Sequence, residues 1–523
     1  MQAMGIGMFP AVPRRAPVEL PIPDVGQSGV ALCAARPFIP SVDQRTLEVF
    51  ERAAEPEDPF ELLRLWLGRV ESELGKHGRR PELVEHWRAS RVRRRLQPED
   101  VLTSRATVRF VKELFNWYFR EDLYGDLQSD QNLILSSGSV DEELWGLPET
   151  VKDCLRYALA RDWYGYSDSR GRTPTLAAIA AYESARIDGA TYDARNVALT
   201  LGGTFATSSL SDFILTNSRG SAPVLCGLPN YPPLVEGIAR RSPTRLVPLP
   251  CAAGVMSVDP LIAAMRPDTP LVLLQTAVNP TGAAVAEDDL QRLILAASPS
   301  TIILLDECHE WLGPAHRAGA ARARSNVVRI SSLSKTWSAP GLKAGWILAS
   351  RAFISEYYEY ASTTFGGPPS LLYTAVEVLA RIERWMLEGR EEIGPAQLSE
   401  FESSYGFDVF GLQRGFESYC SQRREREQAL RRLRDASVRG FGGPNIEVLP
   451  PHYSINMTLQ FEGQNDSYGC FRELLRTTGV SLFPGILTFC FGGAVARVTT
   501  ARRWAHLSEG MARVKAHSFS QRA

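Results

Sequence analysis

Short apolar runs that alternate with helical stretches dominate residues 130–380 of the chain. Each run is compact and rich in Val, Ile and Leu, as is typical of strands that are covered on both faces. The pattern therefore predicts a mostly parallel α/β sheet. The strand candidates, in chain order, are NVALTL, APVLCGL, RLVPLP, PLVLLQTA, TIILLDE, VVRISSL and GWILAS.

Residues 1–125 follow a different pattern. They begin as a Pro-rich arm and continue with apolar residues at helical spacing, namely Phe60, Leu63, Leu67, Val70 and Leu74. The segment TVRFVKELFNWYFREDLYG repeats this spacing with larger apolar residues, which again indicates a helix. We find no candidate catalytic chemistry in these helices and predict a packing or oligomer-contact extension.

The chain after residue 380 begins with a long helical stretch and continues as an α+β segment. Gly and Pro interrupt the helical pattern over residues 388–420, which have the appearance of an insertion. Two strand candidates follow, SINMTLQF and LTFCF, and then the segment AVARVTT.

Composition limits the class of protein. A chain of 523 residues with 44% hydrophobic and 22% charged residues predicts a globular protein of two or more domains. The formal net charge of -1 gives no overall electrostatic reason to expect a nucleic acid or a membrane surface as partner. The one local exception is a basic run with acidic neighbours, which we interpret as a solvated helix face. It consists of Arg88, Arg91, Arg93, Arg94 and Arg95.

The first residues lack the continuous apolar core of a signal peptide, and no run is long enough to span a bilayer. Eight scattered cysteines without a C-x-x-C pair argue against a zinc site and against a disulfide framework. We therefore expect free thiols, no metal and a cytoplasmic location.

Distinctive residues follow the predicted strands directly. In parallel sheets, ligands gather beyond the carboxyl ends of the strands. The residues at these ends are Gly203, Tyr231, Asn279, Asp306 and Lys335.

The segment SSLSKTWSAPGLKAGW at 331–346 resembles the cofactor-lysine segment of class I/II aminotransferases, which are pyridoxal-phosphate (PLP) enzymes of the aspartate aminotransferase fold type I. The resemblance implies that Lys335 carries PLP as a Schiff base and that Ser332 or Ser334 binds its phosphate. PLP also needs an acid that keeps its pyridine nitrogen protonated. LLDECHEW at 304–311 resembles the Asp-Glu-x-Tyr segment, which gives Asp306 that role.

Further segments resemble the same family in the same order. VNPTG resembles the loop that makes Asn279 the partner of the ring hydroxyl, and LPNYPPL the turn that places Tyr231 on the ring face. LGGTFATS resembles the phosphate cup at a helix N-terminus, with Gly203 and Thr204 as ligands.

Two segments extend the resemblance to the substrate and to a second subunit. In PGILTFCFGGAVARVTTA, Arg497 would clamp the substrate α-carboxylate with its planar fork. In YSDSRG, Tyr166 would reach the phosphate in the neighbouring subunit, which implies a homodimer with shared active sites.

The chain departs from the family pattern at two positions. Lys343 stands where an arginine is usual, eight positions after the cofactor lysine, and can pair with phosphate only as a point charge. His309 stands where a tyrosine is usual, and it can serve either as a hydrogen-bond donor or as an acid or base.

The resemblance implies a large PLP-binding domain over residues 161–384 and a small α+β domain over 126–160 and 385–523, with 1–125 as the helical extension. It also implies an aminotransferase-like enzyme that acts on an amino acid through an external aldimine and a quinonoid. A looser likeness of NLILSSGSVDEELWGLP at 132–148 to aminocyclopropane-carboxylate synthases adds Gly138 to the substrate site.

The departures and this looser likeness favour specialised biosynthesis over central metabolism. They also leave elimination, replacement or carbon–carbon bond formation, on a substrate such as S-adenosylmethionine, as an alternative. A PLP-dependent DNA-binding regulator is a third hypothesis, although residues 1–125 lack a compact three-helix pattern with a Gly turn.

Overall fold

The computed structural model describes residues 37–91, 94–216, 218, 221–310, 317–336 and 339–519. Most of the predicted Pro-rich arm lies outside these residues, as do Cys33 and Arg93. The seven described cysteines are all free and buried. Among the described helices, none is both long and apolar enough to cross a membrane.

Five helices form the N-terminal region: α1 Gln44–Arg52, α2 Pro59–Leu74, α3 Pro81–Ala89, α4 Pro98–Thr103 and α5 Arg105–Trp117. Three of them begin with proline, whose missing N–H has no helical partner at this position anyway. The chain after α5 continues as a wider π-helical winding over Tyr118–Asp126, and Gly125 leaves the helical conformation near its end. The predicted helical N-terminal region is therefore confirmed.

The basic run does not lie on a helix face. Of its described residues, only Arg88 belongs to a helix, the last turn of α3, whereas Arg91, Arg94 and Arg95 lie in the irregular link before α4. All four are exposed to solvent. The expectation of a helix was wrong because this link carries charges without the apolar stripe that would pack a helix.

Residues 126–160 form a short strand, β1 Leu133–Ile134, and two helices, α6 Glu142–Trp145 and α7 Glu149–Ala160. Asp141 starts α6, since its side chain accepts hydrogen bonds from the backbone N–H groups of Glu143 and Leu144.

The seven predicted strands form one sheet, which confirms the α/β prediction. Their order is β2-β11-β10-β9-β7-β3-β4, in which only β11 runs antiparallel to its neighbours. The strands are β2 Val197–Thr200, β3 Val224–Leu228, β4 Thr244–Pro248, β7 Leu271–Gln275, β9 Ile302–Asp306, β10 Val327–Ser332 and β11 Gly345–Leu348. A small three-stranded sheet of β5 Cys251–Ala252, β6 Val255–Met256 and β8 Ala284–Val285 lies beside them.

Helices cover the large sheet on both faces, which explains why its strands are almost fully buried. The helices of this part of the chain are α8 Thr173–Arg186, α9 Gly203–Leu215, α10 Pro232–Ala239, α11 Asp259–Ala264, α12 Glu287–Ala296, α13 Leu333–Thr336, α14 Arg351–Thr364 and α15 Tyr373–Leu387. The N-terminal α5 packs against α10, so the extension shares a core with the large sheet.

The C-terminal part contains α16 Pro395–Leu398, α17 Val409–Phe441, α18 Ser467–Thr478 and α19 Trp504–Ala516. Its four-stranded antiparallel sheet has the order β12-β13-β16-β15. The strands are β12 Ile446–Leu449, β13 Asn456–Phe461, β15 Phe483–Pro484 and β16 Val495–Thr499. A further strand, β14 Val480–Ser481, runs parallel to β1.

SINMTLQF contains β13 and AVARVTT contains β16, but the strand prediction for LTFCF was wrong. The chain makes a 3-10 turn over Gly485–Thr488, and Phe489 then adopts a left-handed conformation with φ 64°. The run is apolar because it is buried, and burial alone does not distinguish a packed turn from a strand.

The predicted interruption at 388–420 extends only to residue 408, and it contains the short helix α16 and a 3-10 turn over Ser403–Tyr405. The helical pattern resumes at Val409, and α17 then continues for 33 residues. The irregular part packs onto α15, where Phe401 lies 6.0 Å from the ring of Trp385.

Candidate active site

One cavity of about 260 Å³ lies between the carboxyl edge of the large sheet and the C-terminal sheet. Every predicted site residue except Tyr166 lines it. These residues are Gly138, Gly203, Thr204, Tyr231, Asn279, Asp306, His309, Ser332, Ser334, Lys335, Lys343 and Arg497. Those from the large sheet converge because parallel strands end at the same edge, whereas Arg497 reaches the cavity from the C-terminal sheet and Gly138 from the segment between β1 and α6.

Lys335 lies in the single helical turn α13, directly after β10. Its Nζ donates a hydrogen bond of 2.7 Å to the carbonyl oxygen of Gly138. Burial and the positive charge of Arg497 lower the pKa of Lys335 to about 8. A much larger share of this amine is therefore neutral near physiological pH than for an exposed lysine, and the neutral form is the nucleophile.

Asp306 is the last residue of β9 and is buried. Gln275, the last residue of the neighbouring β7, donates 2.9 Å from Nε2 to Asp306 Oδ2, and the backbone N–H of Cys308 donates 3.1 Å to Oδ1. These two bonds fix the plane of the carboxylate at the floor of the cavity.

Glu307, the next residue, points away from the cavity into a buried cluster of arginines. Arg329 Nε and an Arg322 N–H donate to Glu307 at 2.8 and 2.6 Å, and Arg186 also contacts it. Their positive charges hold the pKa of Glu307 well below its usual range against the opposing effect of burial. The cluster ties the end of β9 to β10 and α8 and so holds Asp306 in place.

The N-terminus of α9 offers an anion cradle. Gly202 precedes the helix with φ 85°, a conformation that glycine adopts without strain. A Cβ on Gly203 would lie 2.7 Å from Cys308 Sγ, so only glycine allows this close approach. The first N–H groups of a helix lack helical acceptors and favour a phosphate.

Polar side chains surround this cradle. The end of β10 and the turn after it contribute Ser332 and Ser334, and α9 contributes the exposed Thr204. Lys343 lies at the rim, exposed, in a left-handed conformation with φ 54°.

Arg497 is buried on β16 and has no acidic ion-pair partner among the described residues. One guanidinium N–H donates 2.8 Å to Asn279 Oδ1, and another donates 2.7 Å to the Ser136 carbonyl. The guanidinium carbon lies 4.1 Å from the ring centroid of Phe483, while Nε has no hydrogen-bond partner. Burial lowers the pKa of Arg497 to about 10. A buried cation of this kind is suited to an anionic ligand.

Gly138 brings the lysine and the arginine together. Its carbonyl receives Lys335, and a Cβ on its Cα would lie 2.6 Å from an Arg497 nitrogen. Its φ of 67° also favours glycine. The residue that the looser likeness selected is therefore in contact with both charged groups.

His309 is buried beside the same charges. Its Nδ1 lies 3.1 Å from the hydroxyl of Ser454, in the loop between β12 and β13. Burial and the positive charges of Lys335 and Arg497 lower the pKa of His309 to about 3. The imidazole is therefore neutral at physiological pH.

Tyr166 is the one predicted site residue that does not line the cavity. It lies between α7 and α8 with a fully exposed side chain. Its predicted contact with a neighbouring subunit stays a prediction.

Several lining residues were not predicted from the sequence. Gln275 carries the same signal as Asp306, a polar residue at a strand end, and could have been found. Phe115 and Phe119 belong to the N-terminal region in which we expected no role in the site, and that expectation was wrong. Their apolar spacing along a helix gave no sign that one face borders a cavity. The other residues missed are Ser137, Leu234, Cys308, Pro340 and Phe483.

Comparison with known proteins identifies the family. The sequence profile described as aminotransferase class I and II matches residues 131–442, more than half of the chain. The chain belongs to this family. Family members use pyridoxal phosphate as their cofactor.

Individual relatives are distant. A histidinol-phosphate aminotransferase from Cereibacter sphaeroides is 30% identical over 167 residues, which cover 28% of this chain and 45% of the relative. The chain thus spans less than half the length of that relative. A valine–pyruvate aminotransferase from Mycobacterium tuberculosis is 24% identical over 409 residues, 76% of this chain and 92% of the relative.

Solved structures confirm the aspartate aminotransferase fold. A single mutant of the aspartate aminotransferase from Thermus thermophilus superposes with a TM-score of 0.60 at 19% identity, covering 77% of this chain and 94% of that one. The N-succinyldiaminopimelate aminotransferase from Mycobacterium tuberculosis gives 0.59 at 20% identity, covering 73% and 92%.

The residues in the cavity fit pyridoxal phosphate. The Lys335 amine, with its lowered pKa, suits attachment to the aldehyde of this cofactor. The fixed carboxylate of Asp306 suits its pyridine nitrogen, and the open N-terminus of α9 suits its phosphate. Arg497 lines the same cavity, and its Nε, which has no hydrogen-bond partner, could donate to a substrate anion.

Proposed function

We propose that this chain is a pyridoxal-phosphate-dependent aminotransferase that acts on an α-amino acid. The observation that carries the proposal is that Lys335, with its lowered pKa, shares one small cavity with Asp306 and Arg497. Arg497 has no acidic ion-pair partner among the described residues. The family assignment supports the same conclusion.

When bound, pyridoxal phosphate supplies an aldehyde for covalent attachment and a ring that accepts electrons from the substrate α-carbon. Lys335 would attach the cofactor through Nζ, and Asp306 would keep the pyridine nitrogen protonated. The N-terminus of α9, together with Thr204, Ser332, Ser334 and Lys343, would hold the phosphate. Tyr231 would cover the ring face, and Asn279 would bond the ring hydroxyl.

Arg497 would bind the substrate carboxylate through its guanidinium fork and so orient the α-carbon toward Lys335. The neutral Lys335 amine would accept the substrate α-proton at Nζ and hold it beside the cofactor. The hydrogen bond between Lys335 and the Gly138 carbonyl supports this role, because it aims Nζ at the region beside Arg497.

His309 would act as a neutral hydrogen-bonding group. Its lowered pKa favours this interpretation over proton transfer near neutral pH. The alternative reactions are elimination, replacement or carbon–carbon bond formation, and they drew on His309, on Lys343 and on the looser likeness of residues 132–148. The neutral His309 gives them no support. We also propose a homodimer, because Tyr166 is exposed and does not line the cavity of its own chain. The seven free thiols support a cytoplasmic location.

Borohydride reduction of the protein with pyridoxal phosphate, followed by peptide mapping, tests the central assignment. We expect the label on Lys335 and its loss in Lys335→Ala. The rate of attachment should rise with pH and level off above pH 8, because the pKa of Lys335 is about 8 and only the neutral amine reacts.

Lys343→Arg is the matched control, since it removes the second cavity lysine but keeps the positive charge. This variant should still be labelled on Lys335. Labelling of Lys335→Ala, or loss of labelling in Lys343→Arg with cofactor still bound, would contradict the assignment. A panel of amino donors with a common keto acid then tests amino transfer directly.

A further inference from the structure

We propose that the amino acid accepted by this cavity has an uncharged, apolar side chain, preferably an aromatic one. The proposal rests on the function proposed above and names its substrate class. It also gives a role to residues 105–126, which precede the segment that matches the family profile.

An aromatic wall closes one side of the cavity. It consists of Phe115 on α5, Phe119 in the following π-helical winding and Phe483 on β15. The ring centroid of Phe115 lies 5.0 Å from that of Phe119 and 6.1 Å from that of Phe483, in edge-to-face contacts. Phe115 and Phe119 are only half-buried, so each keeps part of its surface open to the cavity.

The wall lies next to the proposed carboxylate site, since the guanidinium of Arg497 stacks on the ring of Phe483. A substrate held by Arg497 therefore has its α-carbon near Phe483. Its amino group must face Lys335 and the cofactor. The lining that remains for the side chain is Phe115, Phe119 and Leu234, with Ser137 and Pro340 at the margins.

This wall offers no cation to an acidic side chain. Of the described residues, the cations that line the cavity are Lys335, Lys343 and Arg497, and each has a proposed role already. Two further cations lie next to lining residues, Lys112 beside Phe115 and Arg502 beside Ser137, and both are engaged by other groups. Lys112 donates 2.6 Å to Asn116, and Arg502 contacts Ser137 and lies 3.7 Å from an Asp141 oxygen.

A carboxylate or phosphate on the substrate side chain would therefore lose its hydration shell against aromatic rings. Without a counter-charge, this desolvation is strongly unfavourable. An apolar or aromatic group gains both burial and edge-to-face contacts with Phe115 and Phe119. Besides the cofactor phosphate and the carboxylate at Arg497, the aromatic wall therefore excludes a further anion.

Calorimetric titration of the cofactor-loaded full-length protein with acids that lack the amino group tests this directly. The probes are 3-phenylpropionate, propionate and glutarate, whose binding needs no turnover. We expect 3-phenylpropionate to bind at least roughly tenfold more tightly than glutarate. Phe119→Ala should lower the affinity for 3-phenylpropionate by about fivefold or more and leave the affinity for propionate nearly unchanged.

Phe60→Ala is the matched control, because Phe60 lies in the same helical extension, is exposed and is remote from the cavity. It should leave all three affinities unchanged. Phe119→Arg places a cation on the wall and should reverse the order of 3-phenylpropionate and glutarate. This gain of glutarate binding cannot come from misfolding.

Tighter binding of glutarate than of 3-phenylpropionate to the unaltered protein would overturn the inference. Equal losses of affinity for propionate and 3-phenylpropionate in Phe119→Ala would also overturn the inference. In both cases carboxylates still bind and Lys335 is still labelled, so the proposed function stands. Failure of all three acids to bind, with Lys335 unlabelled, would instead reject the proposed function.

Discussion

The imidazole Nδ1 of His309 lies 3.1 Å from the hydroxyl of Ser454, a residue with the unusual φ of 80°. The contact joins the end of the large sheet to the loop before β13. Two hydrogen bonds of 2.8 Å hold this loop, from the N–H groups of His452 and Tyr453 to the carbonyl of Gly282. Because Ser454 occupies Nδ1, Nε2 is the nitrogen that remains for a hydrogen bond to a ligand.

His309→Tyr should leave the pH dependence of turnover unchanged between about pH 5 and 8. The pKa of His309 is lowered to about 3, so the imidazole is neutral throughout this range and contributes no ionisation to lose. Tyrosine keeps a hydrogen-bond donor, and activity should fall by no more than a few-fold. An ionisation near neutrality that is present in the unaltered enzyme and absent from His309→Tyr would show that His309 transfers protons.

Gly138→Ala should impair substrate binding while the cofactor stays attached. The new methyl group would lie 2.6 Å from an Arg497 nitrogen, and the φ of 67° would be strained. We expect KM to rise by roughly tenfold or more, because the guanidinium must move from its place. Gly146→Ala is the control, since a Cβ there meets nothing within 4 Å. An unchanged KM in Gly138→Ala would show that Arg497 does not bind the carboxylate.

Asp306→Asn should retain the cofactor but slow α-proton exchange by at least about a hundredfold, because the neutral amide cannot keep the pyridine nitrogen protonated. Exchange of the α-hydrogen for deuterium, followed by NMR, measures this step without the rest of the reaction. Gln275→Leu removes the 2.9 Å bond to Asp306 but keeps the charge, and should have a smaller effect. Near-normal exchange in Asp306→Asn would place the acid elsewhere.

Mixing two defective variants tests whether Tyr166 serves the neighbouring subunit. In a hybrid of Lys335→Ala and Tyr166→Ala chains, one site has both Lys335 and a partner Tyr166. Random pairing should then restore up to about a quarter of the unaltered activity. The same mixture with Tyr164→Ala in place of Tyr166→Ala controls for general exchange effects. No recovery, with hybrids present by mass spectrometry, would mean that Tyr166 acts within its own chain or not at all.

Local pattern was enough to predict the sheet. Each of the seven strands is a short, doubly covered apolar run, and such a run has few other ways to be buried. The same reasoning failed at LTFCF, where the apolar residues are buried inside a turn that ends with Phe489 at φ 64°. In this segment, hydrophobicity correctly predicted that the residues are buried, but it did not predict the backbone conformation.

The site residues also fall into those that the sequence predicts and those that it does not. Asp306, Asn279 and Lys335 could be predicted because each lies at or shortly after a strand end that is visible in the sequence, within a segment that resembles the family. Ser454 and Phe119 could not, because their places in the site depend on packing between segments far apart in the chain. No local periodicity encodes such contacts.

The position of β16 has a consequence for the order in which the molecule is completed during synthesis. β16 pairs with both β13 and β15, and it is the last of the described strands along the chain. All seven strands of the large sheet, with Asp306 and Lys335, have left the ribosome well before Arg497 is translated. A nascent chain that ends before Val495 would therefore carry the proposed cofactor residues but no arginine for the substrate.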